Sequence, residues 1–254
     1  MDLPVIQPPP LKICGSPNGP SVTAPRIRLK DGRYLAYKEY GVPKDVAKYK
    51  IIYVHGFKSG RHNAYVANTL SPEIIEELGV YIVSFDRPGY GESDPNPKRT
   101  VKSMEMDIEE LADHLQPEVD TRPVGYSRCS LCPWLFYWWN TQKLFPVSSA
   151  LASSSDALSS QASQQVTQGV FESLHRDLIV LHGAWEFDPL DLANPFSNNE
   201  GSVHLWHGDR DKTVPITINR PWIHYHEISG ASHFFPLGDV MSDAIIKALL
   251  IGGK

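Results

Sequence analysis

The sequence is poor in cysteine, in basic runs and in long apolar stretches. Three cysteines in 254 residues, Cys14, Cys129 and Cys132, are too few for a disulfide framework. Cys129 and Cys132 form a lone C-x-x-C. A structural zinc would need two further ligands at their own short spacing, and a redox pair would need to open a helix in a thioredoxin-like context. Both therefore read as small buried thiols, and no metal is expected. The formal charge is −5 and no Lys/Arg run exceeds two residues, so nucleic acid and anionic lipid meet no basic field. No apolar run approaches the ~20 residues that span a bilayer. Residues 1–10 also lack the basic flank and apolar stretch of a signal peptide. The expectation is a soluble, cytoplasmic protein without a transmembrane segment.

What is present is ordinary globular composition, 41% hydrophobic and 21% charged, enough for one sizeable core. Seven of the first 25 residues are proline, so residues 1–25 read as an extended leader. From Arg26 an alternating segment, a turn at Asp31-Gly32 and a second alternating segment to Tyr40 predict a hairpin. The apolar runs 51–54 and 80–85 suit strands buried on both faces. Between them, Ser71-Pro72-Glu73 signals a helix start and Gly79 a left-handed stop. Val101, Met104, Ile108, Leu111 and Leu115 step at helical spacing, with Thr100 as cap. Strand, helix, strand, helix implies a parallel sheet covered on both faces. Later, 203–207 and 222–228 read as strands and 240–250 as a closing helix. Between lie a serine-rich stretch and the aromatic segment 134–139, which suits a lid over a pocket or ordinary core packing equally; a lid-like insertion at about 130–200 is expected.

Gly-x-Ser occurs four times, at Ser21, Ser93, Ser127 and Ser232, and decides nothing alone. Ser127, Asp211 and His233, however, stand just after strand-like segments in the order nucleophile, acid, histidine. In a parallel sheet such positions converge on one edge. Asp209 competes with Asp211 for the acid. His233 has nine rivals; His224 and His226 sit within a strand, where packing or solvent exposure is the plainer reading.

The chain resembles the α/β-hydrolase superfamily, most closely its plant-type AB hydrolase-1 members. The resemblance rests on His55-Gly56-Phe57-Lys58, Asp86-Arg-Pro-Gly-Tyr-Gly-Glu-Ser-Asp94, Gly125-Tyr-Ser127, His207-Gly-Asp-Arg-Asp211 with Val214-Pro215, and Gly230-Ala-Ser-His233. These motifs stand in family order across the domain expected at 26–252. The resemblance implies an α/β fold with a mostly parallel sheet, helices on both faces and a helical lid. It implies a serine hydrolase in which Ser127 attacks an ester or related acyl group. His233 would take the proton and Asp211 would orient His233. Backbone N–H groups of Phe57 and Arg128 would form the oxyanion hole. The partner would be a small-molecule acyl substrate, and no cofactor is implied. Asp86–Asp94 reads as a structural turn in place of a phosphate loop, because no lysine-serine pair follows its glycines.

The pattern departs from the family after the nucleophile. Cys129 stands where the second glycine of Gly-x-Ser-x-Gly belongs, and Pro133 falls inside the expected elbow helix, where proline costs about 3 kcal/mol. The resemblance therefore implies a shortened elbow and an internal deletion. The alternative from another class is a non-catalytic protein of this fold that binds a small hydrophobic ligand under the aromatic segment.

Overall fold

The computed structural model describes residues 8–115, 168–185, 203–210, 223–231 and 241–252. Strands β1 (Arg26–Arg28) and β2 (Tyr34–Gly41) form the expected hairpin, with Ile27 opposite Leu35 and both buried. The turn between them closes through Leu29 N–H to the Arg33 carbonyl at 2.8 Å. β3 (Tyr49–Val54) follows, then helices α1 (Tyr65–Thr69) and α2 (Pro72–Leu78), strand β4 (Val80–Phe85) and helix α3 (Val101–Leu115). The strand order is β1-β2-β4-β3. β4 runs parallel to β3 and antiparallel to β2, so the sheet is mixed where the hairpin joins it.

Successive residues of β3 and β4 explain the layers. Ile52, Tyr81, Val83 and Phe85 face α3 and pack with Met104, Leu111 and Leu115. Ile51, Val80 and Ile82 face the other way and meet Leu70, Ile74 and Leu78 around α2, together with Ile246 from the C-terminal helix. A strand with period-two side chains can be apolar throughout only if both faces are covered, which is the case here.

Local signals act largely as read. Gly79 ends α2 at φ 61°, in the left-handed region that glycine enters without a Cβ clash. Its carbonyl accepts from Lys48 N–H at 2.9 Å and Tyr49 N–H at 3.1 Å, which sets β4 alongside β3. At the start of α3, Thr100 Oγ1 accepts from Ser103 N–H while Ser103 Oγ accepts from Thr100 N–H, a reciprocal cap. Ser71 differs from expectation. It occupies the N-cap of α2, but its hydroxyl donates to Asp243 at 2.7 Å and makes no cap bond.

Asp243 belongs to α5 (Met241–Lys247), which continues as a π turn (Ala248–Gly252). Helix α5 is thus fixed to the start of α2 by polar bonds and to the sheet by Ile246. Strands β5 (Val203–Gly208) and β6 (Ile223–Ile228) pair in parallel. Within the range expected to form a lid, residues 168–185 hold a π turn (Phe171–His175) leading into α4 (Arg176–His182).

The proline-rich leader folds where it is described. Cys14 is buried, and Gly15 N–H donates to the Pro20 carbonyl at 2.8 Å. Thr23 and Ala24 donate backbone N–H groups to Glu92 at 2.6 and 2.9 Å. Proline density predicted extension here, and the long-range carboxylate overrides it. No helix among the described residues is long and apolar enough to cross a membrane.

Candidate active site

At the carboxyl end of β3 the chain passes from buried His55 to exposed Gly56 and half-buried Phe57. The Gly56 carbonyl accepts two hydrogen bonds, from His55 Nδ1 at 2.8 Å and from Arg87 Nη2 at 3.2 Å. The other ring nitrogen, Nε2, accepts Arg87 N–H at 3.0 Å, so the proton of the neutral imidazole lies on Nδ1. Every peptide here is trans, and a trans peptide points its C=O and N–H to opposite sides. With the carbonyl held inward, the Phe57 N–H faces the other way and donates no hydrogen bond among the described residues. Next to it Lys58 lies at φ 54°, left-handed backbone that a non-glycine residue seldom adopts.

Burial, reinforced by the Arg87 guanidinium, holds His55 well below the ordinary histidine value. The unfolded chain therefore takes up a proton near pH 6.5 that the folded protein refuses until lower pH. The stability tied to neutral His55 is complete above about pH 6.5 and is lost as pH falls through the folded value. Urea unfolding between pH 7.5 and 5 should show this decline, and His55→Asn should make it shallower. An identical slope in both proteins would contradict the assignment.

Two buried ion networks support this corner. In the first, Arg61 binds Asp86 and reaches Glu92 at 2.6 Å. Burial opposes ionisation of Glu92, but hydrogen bonds from Thr23 and Ala24 and the charge of Arg61 pull it down to about 2. In the second, Asp177 of α4 pairs with Arg87, with Arg99 at 2.8 Å, and with the Tyr90 hydroxyl at 2.7 Å. The 86–94 segment is thus a structural turn, as its sequence implied.

The second candidate edge is formed by β5 and β6, whose ends are level at Gly208 and Ile228. Beyond them Asp209 N–H donates to the Ile228 carbonyl at 3.2 Å, and Arg210 N–H to the Ala231 carbonyl at 3.0 Å. Asp209 itself accepts Gly230 N–H at 2.7 Å and the Ser229 hydroxyl at 3.4 Å. It is a turn acid that ties the two strand ends together. Gly208 is required by closeness: a Cβ there would fall well inside contact of the Ala231 backbone oxygen. Gly208→Ala should push the strand ends apart and cost about 1–3 kcal/mol, the usual range for overpacking. Thermal melting checks this, and an unchanged midpoint would refute the close approach.

Within β5 and β6, His204 hydrogen-bonds His226 at 2.9 Å and stacks on His224 and His226, while Trp206 covers His226 at 4.0 Å. His226 is half-buried in this stack and His224 lies exposed on its edge, so the in-strand histidines pack or face solvent. Among the described residues no group of three or more His, Cys, Asp or Glu could hold a metal ion.

Of the sequence-derived site, Phe57 lies at the end of β3. Ser127, Arg128, Asp211 and His233 lie outside the described residues, as do Cys129, Cys132, Pro133 and the aromatic segment 134–139. Asp211 directly follows Arg210, and only Ser232 separates His233 from Ala231, so both positions start from the bonded strand ends. Sequence reasoning missed Arg87 and Asp177. Arg87 lies inside the Asp86–Asp94 motif, whereas nothing in the sequence links Asp177 to it.

No family model and no curated protein matches the chain. Solved structures do match. An enol-lactonase from Burkholderia xenovorans is 13% identical with a TM-score of 0.56, over 89% of this chain and 99% of that one. A Bacillus megaterium epoxide hydrolase is 16% identical with a TM-score of 0.54, over 89% and 100%. The chain has the α/β-hydrolase fold. An esterase from Exiguobacterium antarcticum is also similar, at 13% identity and a TM-score of 0.53, over 89% of this chain and 99% of that chain. In an α/β-hydrolase fold the carboxyl ends of the parallel strands form the ligand edge. The Gly56–Phe57 peptide stands at that edge of β3, and Asp209 stands at the corresponding end of β5.

Proposed function

We propose that this protein is a serine hydrolase of the carboxylesterase type, acting on an ester or related acyl substrate. The observation that carries the reading is the Gly56–Phe57 peptide: it follows a strand's carboxyl end, Gly56 is exposed, its carbonyl is held from behind, and its N–H has no acceptor among the described residues. Such a donor is what a developing oxyanion needs. In this reading Ser127 attacks the acyl carbon and His233 takes its proton. The tetrahedral oxyanion then collapses as His233 protonates the leaving alcohol, and water repeats the cycle on the acyl-enzyme. Asp211 fixes the histidine tautomer; Phe57 and Arg128 N–H groups hold the oxyanion. The neighbours named as esterase and enol-lactonase support ester chemistry. Ser127 argues against epoxide or haloalkane opening, which uses a carboxylate at that position. The reaction needs no cofactor, and a cytoplasmic setting belongs to the same proposal.

A fluorophosphonate probe tests the reading without knowledge of the substrate, because it reacts with activated serines. Labelling of folded protein should map by peptide mass spectrometry to Ser127. A folded protein that stays unlabelled, or labels elsewhere, overturns it. Lack of labelling would favour the ligand-binding alternative, to which Cys129 and Pro133 in the sequence, in place of a family-like elbow, already point.

A further inference from the structure

We propose that His55 and Arg87 are positioning residues that clamp the Gly56–Phe57 peptide in the orientation that presents the Phe57 N–H, with Asp177 locking Arg87 from α4. The proposal rests on the serine-hydrolase reading for its chemical purpose, while the clamp itself is read from geometry. Gly56 is exposed, and a Cβ built on it would meet no atom among the described residues, so none of these holds the peptide by packing on Gly56. A glycine peptide without packing can rotate and offer its carbonyl in place of the following N–H. A carbonyl facing a developing oxyanion would repel it. Rotation is opposed here by two donors on one oxygen, His55 Nδ1 and Arg87 Nη2.

Each donor is itself held. The Arg87 N–H on Nε2 fixes the tautomer and plane of His55, and Tyr90 closes on the ring edge-on at 4.9 Å. The Arg87 guanidinium is gripped at both Nη1 and Nη2 by Asp177, whose carboxylate also takes Arg99 and the Tyr90 hydroxyl. The chain of contacts thus runs from α4 through Arg87 to the peptide expected to bind the transition state. Preorganisation of this kind acts on the transition state more than on substrate binding, so its loss should lower kcat and spare KM.

The test compares His55→Asn with His55→Gln, two polar replacements that separate the ring nitrogens. Asn places its amide N–H near Nδ1 and keeps the bond to the Gly56 carbonyl; Gln reaches toward the Nε2 position and loses it. With a short-chain aryl ester, His55→Gln should lower kcat by ~10–100-fold at unchanged KM, and His55→Asn should stay within a few-fold of wild type. The Gly56 carbonyl ¹³C resonance should move upfield in His55→Gln and not in His55→Asn. Equal kcat losses that follow the melting temperatures would reduce the role to fold stability and overturn the proposal. So would a folded His55→Gln protein with a moved carbonyl resonance and intact kcat. An unmoved resonance overturns the clamp whether or not the protein hydrolyses esters. Wild type that neither labels nor hydrolyses overturns the serine-hydrolase reading and with it the catalytic purpose, and the resonance alone then decides the clamp.

Discussion

Asp211→Asn is expected to lower kcat by up to ~10⁴-fold, the loss seen when a triad carboxylate becomes an amide and the histidine takes the wrong tautomer. Asp209→Asn should stay within a few-fold of wild type. The two acids stand two residues apart in the sequence and are chemically equivalent there, but the structure commits Asp209 to the turn at the strand ends. Its carboxylate is committed to Gly230 N–H and the Ser229 hydroxyl, so its oxygens hold the loop that leads to His233. An asparagine oxygen can still accept the Gly230 bond, which is why the substitution should be mild. Steady-state kinetics on one aryl ester, with melting curves to show both variants folded, decides the matter. Comparable losses would remove Asp211 from its role, and a larger loss at Asp209 would transfer the role.

The parts of the fold legible in the sequence are those fixed by local chemistry. Apolar runs over 51–54 and 80–85 announced β3 and β4, Gly79 announced the end of α2, and Thr100 announced α3, because each signal acts within a turn or a strand's length. Ser71 and the leader show the limit. The Ser71 hydroxyl is taken by Asp243 and the leader's N–H groups by Glu92, partners far along the chain that no window contains. The buried charges were the least legible, since Arg61, Arg87, Arg99, Asp107 and Glu92 are residue types that usually face water. For the site, strand-end positions and motif order pointed to Phe57, Ser127, Asp211 and His233. The residues behind Phe57 emerged only when Gly56 was seen to accept from both His55 and Arg87.

Removing the carboxylate of Asp177 should be among the most destabilising single changes outside the apolar core. Asp177→Ala leaves two buried guanidinium groups, Arg87 and Arg99, and the Tyr90 hydroxyl without their shared acceptor. Breaking a buried ion pair from one side costs about 3–5 kcal/mol, because the remaining charge stays desolvated. For a chain of this size that corresponds to a fall in melting temperature of roughly 10 °C. Asp31→Ala supplies the contrast. Its partner Arg33 keeps Asp107 at 2.6 Å, and the Asp31 side chain is 53% exposed, so the loss should stay below about 1 kcal/mol. Replacing Arg87, Arg99 and Asp177 together by apolar residues of similar volume should restore much of the stability, since no unpaired charge is left inside. The same triple change would remove the Arg87 bond to Gly56, so recovered stability without recovered hydrolysis is the expected pairing. A melting temperature for Asp177→Ala no lower than that of Asp31→Ala would show that the network carries little of the fold.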